Sequence, residues 1–210
     1  MLHPEKRQRY LENLMSGADL DERIDKEIVM KGETRNIIDY MAYWKHEAII
    51  ADLENKRNNF TVLCSNLYND FNIATVIRNS NAFLAKQVIL YGSKQYDRRG
   101  TVGTHHYTNF LHTRTFSELE DQLKILRGSY GSVTVIGIDN LPGASAIDEF
   151  EWNKNTHYVL AFGQEQVGLP AEILDICDHR LYIKQYGTVR SLNVGTASGI
   201  AMYALASNVF

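Results

Sequence analysis

The sequence predicts an α/β fold, with a parallel sheet covered by helices on both faces. Two observations carry that prediction. Short, continuously apolar runs, FTVLC (60–64), QVILY (87–91), VTVIGI (133–138) and YVLAF (158–162), read as strands buried on both faces. Between several of them lie longer segments that read as helices, so strand and helix alternate. Composition agrees: hydrophobic residues are 44% and charged residues 22%, which allows a sizeable core and argues against global disorder.

The first fifty-odd residues have a different texture, rich in charge and with little β-branched clustering. Ile37, Met41, Trp44 and Ala48 fall at spacings of three and four, one stripe of an amphipathic helix. Glu33 opens that segment and Lys56 and Arg57 close it, the charge order a helix dipole prefers. Residues 1–57 are therefore expected to form an N-terminal helical extension, and residues 58–210 the main domain. In the main domain a strand over 60–64 is followed by a helix over 72–84 and a strand over 87–91. A polar loop covers 92–108, and a helix 116–126. Strands at 133–138, 158–162 and 180–183 come next, and a helix over 192–207 ends the sequence.

Several function classes are argued against. No run is apolar and long enough to span a membrane, and the opening MLHPEKRQRYLENL lacks a signal peptide's apolar stretch, so a cytoplasmic protein is expected. Cys64 and Cys177 form no C-x-x-C pattern, which gives no indication of a thiolate metal site or a disulfide framework. A net charge of −3 supplies no whole-molecule attraction for nucleic acid, so RNA binding would have to rest on local patches. GQEQVG (163–168) has the gap of a phosphate-binding P-loop, but Leu169 and Pro170 stand where its Lys and Ser or Thr belong. His105 and His106 would point opposite ways in an extended stretch and so not share a metal; no metal is expected.

In an open α/β sheet, ligands sit beyond the carboxyl ends of the strands. The segments there read SNLYNDFN, GIDNLPGAS, GQEQVGLP and KQYGTVRSLN. Asn72 and Arg78 share one helical segment, offset by about a third of a turn, which sets a cation on a face that otherwise looks buried. Such a guanidinium needs a polar or acidic partner, and Glu165 or the pair Ser191 and Asn193 could supply it. Ser191 and Asn193 precede an almost wholly apolar helix. Capping accounts for them by itself, and a role at a reaction centre stays open.

Three motifs together resemble the SpoU family of RNA 2′-O-methyltransferases, within the knotted SPOUT superfamily. They are NDFNIATVIRNSNAF (69–83), VLAFGQEQVGLP (159–170) and IKQYGTVRSLNVGTASGIAMYAL (183–205). FTVLCSNLYNDFNIATVIRN with VGTHHY downstream is most similar to the branch that methylates a tRNA D-loop guanosine. The resemblance implies a C-terminal trefoil knot, a rare exception to the rule against threaded connections. It implies S-adenosylmethionine as cofactor, cupped by groups around Gly163, Ile183 and Leu192, with Ile138 and Asp139 adding to the wall. Arg78 would meet the RNA phosphate and ribose 2′-hydroxyl, while Asn72, Glu165, Ser191 and Asn193 orient it and the acceptor. A tRNA or rRNA substrate and a two-fold homodimer follow from the same resemblance. An RNA-binding protein without turnover and a base-directed methyltransferase are the alternatives. Lys184 replaces a usual proline, Arg190 adds a second cation, and Ala74, Leu84 and Ala85 stand where glycines are usual. The two cations serve either RNA or simple solvation of the loop. Arg98 and Arg99, with Tyr96 and Tyr107, make a loop that could stack on unpaired bases.

Overall fold

The computed structural model describes residues 4–65, 70–93, 95–164 and 168–210. The chain divides into two compact units, Met1–Lys56 and Arg57–Phe210.

The first unit holds helices α1 (Pro4–Met15), α2 (Lys26–Lys31) and α3 (His46–Glu54). The single helix expected from Glu33 onward does not form. Tyr43 takes φ +70°, outside the helical region, and Trp44 makes an antiparallel bridge to Ile24. A buried carboxylate organises the stretch instead. Glu33, 3% exposed, accepts the backbone N–H of Tyr43 at 2.9 Å and of Arg35 at 3.0 Å, and pairs with the Arg35 guanidinium at 2.7 Å. Burial alone would raise its pKa, but the Arg35 and Tyr43 hydrogen bonds outweigh burial and lower it to about 2. Met41 and Trp44 are buried because this turn folds them inward, not because they share a helical stripe.

The second unit is built on strands β1 (Asn58–Cys64), β2 (Ala85–Tyr91), β3 (Phe110–Thr113), β4 (Val133–Ile138), β5 (Ser145–Ala146), β6 (His157–Phe162) and β7 (His179–Tyr182). They form one sheet in the order β3-β2-β1-β6-β4-β7-β5, and every pairing is parallel. Helices α4 (Asp70–Ala82), α5 (Phe116–Tyr130), α6 (Ala171–Asp175) and α7 (Val194–Val209) complete it. The short strands β3 and β5 and the helix α6 were not legible as elements. Their apolar residues are too few to show a period.

Side-chain alternation along the strands explains why they read as continuously apolar. Val62, Ile136 and Leu160 point to one core, where α4 brings Ile73, Val76 and Ile77 and α7 brings Met202 and Leu205. Leu63, Val135 and Val159 point to the other, against Leu119 and Leu123 of α5 and Ile173 of α6. Leu84, at a position where glycine was expected, takes φ +52° in the turn that leaves α4, the left-handed conformation glycine adopts without steric cost.

The loop over 92–108 folds into 3-10 turns at Arg98–Thr101 and Thr104–Tyr107. Successive side chains there are only about 120° apart, so the His105 and His106 rings lie 4.0 Å apart rather than on opposite sides. Tyr107 is buried and Tyr96 packs against Phe110, which removes the Tyr107 ring from any surface for stacking bases. Arg99 is held by Asp97. Among the described residues no group of three His, Cys, Asp or Glu side chains is placed to hold a metal, and no helix is long and apolar enough to cross a membrane.

His157 sits wholly buried at the start of β6. Its Nδ1–H donates to Asn59 Oδ1 at 2.6 Å, its Nε2 accepts from Thr61 Oγ1 at 2.9 Å, and its ring stacks on Tyr130 at 4.0 Å. Burial, with Lys86 nearby, lowers its pKa to about 4. The neutral ring therefore contributes stability above its unfolded pKa of about 6.5, and that contribution fades as pH falls toward 4, on the order of 3 kcal/mol in all. Unfolding free energies measured between pH 7 and 4 should fall less steeply in His157→Gln than in the unaltered chain. Equal slopes would show that this ring does not titrate on unfolding.

Candidate active site

A cavity of about 300 Å³ opens where β4, β6 and β7 end. Their last residues, Ile138, Phe162 and Tyr182, form its floor. The loops leaving these strands and the first turn of α7 complete the lining, and it is there that the structure collects the sequence candidates. Ile138, Asp139, Gly163, Ile183 and Leu192 all line this one cavity, and so does Ser191.

Each loop is held in place by specific bonds. Gln164 and Gly168 form a small antiparallel bridge, with N–H to carbonyl bonds of 3.0 and 2.8 Å in the two directions. A Cβ at Gly163 would collide with the backbone of Gly168 and Leu169, so this tight closure requires glycine. Gly168 takes φ +68° for the same turn. Asp139 secures it from the neighbouring strand: one carboxylate oxygen accepts Leu169 N–H at 2.9 Å, the other Asn140 N–H at 2.8 Å. The Asn140 side chain then donates to the Arg190 carbonyl at 3.1 Å, tying the loop after β4 to the loop after β7.

The opening of α7 joins this cavity to α4. Asn193 is the helix N-cap: its Oδ1 accepts Gly195 N–H at 2.9 Å and Thr196 N–H at 3.3 Å. Its amide nitrogen donates to Asn72 Oδ1 at 2.8 Å. Capping thus orients the amide so that its other end reaches α4. The two helices continue in close contact. Asn79 donates to the Gly195 carbonyl at 2.8 Å and to Ser198 Oγ at 3.0 Å. A Cβ on Gly195 would lie 2.7 Å from Thr75 Cγ2 and 2.9 Å from its Cβ. Gly195→Ala should therefore cost about 1–3 kcal/mol in denaturant unfolding, and Thr75→Ala, which removes the closer atom, should recover part of it. A neutral Gly195→Ala would mean that the helices separate without cost.

Arg78 lies on the exposed side of α4 and, among the described residues, has no hydrogen-bond or ion-pair partner. The expectation of a guanidinium on a buried face is thereby corrected. Six positions after Asn72 the helix has turned Arg78 outward, while Ile73, Val76 and Ile77 take the core side. Glu165 falls outside the described residues. The Lys184 ammonium is held 3.0 Å from Asp148 and 2.6 Å from Glu149. Hydrogen bonds to Glu149 and then Asp148 raise its pKa, so its charge is already matched within the chain.

Residues 59–203 match the model of the SpoU rRNA Methylase family. The chain belongs to that family. Among curated SpoU-like relatives, the tRNA (guanosine(18)-2′-O)-methyltransferase of Aquifex aeolicus is 27% identical over 153 residues, covering 72% of this chain and 70% of the relative. The solved A. aeolicus TrmH/SpoU tRNA modifying enzyme superposes with a TM-score of 0.65 at 23% identity, covering 78% of this chain and 83% of that one. The SpoU methyltransferase AviRb from Streptomyces viridochromogenes, solved in complex with AdoMet, gives 0.64 at 24% identity and 72% coverage. This chain spans 58% of the length of AviRb.

Within the SpoU motifs, four polar residues were not singled out. Asn79 hydrogen-bonds α4 to α7 and Thr75 packs where Gly195 passes, while Gln164 and Gln185 line the cavity, their side-chain oxygens buried and without a hydrogen-bond partner among the described residues. Thr75 and Asn79 follow Asn72 at helical spacing, a signal that could have found them. Nothing local marks the two glutamines.

Proposed function

We propose that the chain transfers a methyl group from S-adenosylmethionine to a ribose 2′-hydroxyl of RNA, with tRNA, and a D-loop guanosine in it, as the favoured substrate. The observation that carries the proposal is the convergence of the β4, β6 and β7 loops on one cavity, with the Asn72–Asn193 bond bringing α4 to its edge. The residues present fit the cofactor. The volume is within the roughly 300–1,000 Å³ usual for small-molecule sites. Ile138, Leu141, Ile183 and Leu192 offer apolar walls for a purine, and the glycine-closed turn at Gly163 brings backbone close to the ligand. The name of the A. aeolicus relative and the AdoMet bound to AviRb point the same way.

When bound, the cofactor supplies an electrophilic sulfonium methyl. The work left to the protein is alignment of the acceptor and relief of charge as its proton departs, and alignment alone can contribute about 7–11 kcal/mol. Arg78 is suited to the second task. A guanidinium is a poor general base, but its planar fork can hold an RNA phosphate and stabilise negative charge growing on the 2′-oxygen. Asn72 and Asn193 fix the distance between Arg78's helix and the cavity. Ser191 and Glu165 would orient the acceptor.

The same reading includes a trefoil knot, with the stretch before α7 threaded through an earlier loop. Support comes from α7, which follows β7 near one sheet edge yet packs on α4 near β1. It also includes residues 1–57 as a separate N-terminal extension, a cytoplasmic location and a two-fold homodimer, for which Ile200 and Tyr203, exposed on α7, offer an apolar surface.

The test is incubation with methyl-labelled cofactor and total tRNA or rRNA, followed by mapping of the label. Label in a nuclease-resistant, 2′-methylated dinucleotide is expected. Label in a base would mean a base-directed enzyme, and RNA binding with no label a binding protein without turnover; either would overturn the proposal.

A further inference from the structure

The loop over 92–108 carries side chains that the chemistry above does not use. Its two 3-10 turns pack against α4, the helix that bears Arg78. Three of the loop's basic side chains lie together. The His105 and His106 rings stand 4.0 Å apart, and Arg98 is near enough for its charge to act on His105. Arg98 and His106 are exposed, and His105 is half-buried. The loop's one acidic residue does not balance them. Asp97 is taken by Arg99, whose backbone N–H and guanidinium both donate to it at 2.9 Å. Arg98, like Arg78, has no hydrogen-bond or ion-pair partner among the described residues. The whole chain carries a net charge of −3, so this patch is the kind of local attraction for nucleic acid that composition alone withholds.

Hydrogen bonding fixes the state of His105. The single hydroxyl proton of Thr101 goes to the Arg98 carbonyl at 2.7 Å, so Thr101 Oγ1 accepts from His105 Nδ1–H, 2.6 Å away. The proton of the neutral ring is thereby kept on Nδ1, and Nε2 is left bare, with no partner among the described residues. A bare ring nitrogen only accepts, whereas a protonated one can donate to a phosphate oxygen. Burial first, and then His106 and Arg98, hold the His105 pKa below its usual value. In the free protein at neutral pH the ring is therefore largely uncharged, and an anion placed beside it would favour its charged form.

We infer that Arg98, His105 and His106 bind phosphates of the RNA backbone, and that His105 Nε2 takes up a proton from solvent as they do. The inference rests on the proposed RNA substrate and extends the surface around Arg78. Arg98 supplies permanent charge and a planar fork suited to phosphate. His105 keeps one N–H on Thr101 and turns the new one to the RNA; the proton returns to solvent on release. The described charged groups on the elements packed around His105 are His106, Arg98, Arg99 with Asp97, Arg78 on α4, and Arg57, which reaches the Tyr107 carbonyl at 3.0 Å. All but Asp97 are basic, so a phosphate relieves the cluster where a cation or a neutral base would not.

The test is binding of end-labelled bulk tRNA to the full chain, read by fluorescence anisotropy at constant ionic strength. The unaltered chain should bind about tenfold more tightly at pH 6 than at pH 8, because binding is linked to proton uptake. His105→Gln should match the unaltered chain at pH 8, which also shows that it folds, and should lose most of the gain at pH 6. Other titrating groups contribute to both proteins alike and cancel in the comparison. Arg98→Ala, at an exposed position, should weaken binding at both pH values and reduce the slope of log affinity against log salt by about one. A pH gain that persists in His105→Gln, an equal loss of affinity at both pH values, or an unchanged salt slope in Arg98→Ala overturns the inference. Where tRNA is still 2′-O-methylated alongside such a result, the methyltransferase reading stands and the RNA is held elsewhere. If the unaltered chain neither binds nor methylates RNA, that reading falls and this inference with it.

Discussion

Arg78→Lys is expected to lower methyl transfer by about 10²–10³-fold while leaving cofactor affinity unchanged. The magnitude is that of one donor removed from a charge-stabilising site. The reasoning is geometric. Arg78 stands on the exposed side of α4, where RNA can reach it, and not in the cavity lining. Lysine keeps the positive charge but loses the planar fork that can hold two oxygens at once. Single-turnover rates with saturating cofactor, paired with calorimetry, separate the two effects. Near-normal turnover in Arg78→Lys would show that charge alone suffices and that positioning by the guanidinium is not what the site uses. A loss of cofactor affinity would place Arg78 in a structural role.

The second large effect is expected at Asn193. Asn193→Ala removes the α7 cap, worth about 1 kcal/mol, and strips the donor from Asn72 Oδ1. Asn72 is 5% exposed, so its stranded oxygen adds a further cost of about 1–3 kcal/mol. Denaturant unfolding should record the sum. Asn193→Ser separates the two contributions: serine caps well but is too short to reach Asn72. It should restore the cap's share of stability and still transfer methyl groups about as poorly as Asn193→Ala. If Asn193→Ser is fully active, the bond between the helices does not position the site.

Much of this was legible from residue order because the signals were local. A strand buried on both faces is largely apolar, so 60–64, 133–138 and 158–162 declared themselves; the structure begins the predicted strands up to two residues earlier and ends the last of them at Tyr182, one residue short of the expected 183. The candidate cavity residues were legible through the motifs, since Gly163 and Ile183 directly follow strand ends, and Leu192 precedes the cap of the last helix, wherever those strands lie in the sheet. The stretch over 33–57 failed for the opposite reason. Spacing of Ile37, Met41 and Trp44 satisfied a helix, but a single buried carboxylate, Glu33, collected the backbone N–H groups of Arg35 and Tyr43 and bent the chain into a turn. Periodicity describes which faces are apolar; it has no means of registering a hydrogen-bond acceptor ten residues away. The His105–His106 pair failed likewise, because a 3-10 turn and an extended loop look the same in composition.

The sequence by itself determined the α/β class, the identity of the strands at the sheet centre and the set of polar residues at their carboxyl ends, since each depends on a residue and its near neighbours. Only the tertiary structure decided that Asn72 meets Asn193, that Arg78 faces outward, that Lys184 is neutralised by Asp148 and Glu149, and that Gln164 and Gln185 line one cavity. Strand order in the sheet sets those distances. A parallel sheet joins strands through long crossovers, and their order is chosen by the packing of whole helices rather than by any local pattern.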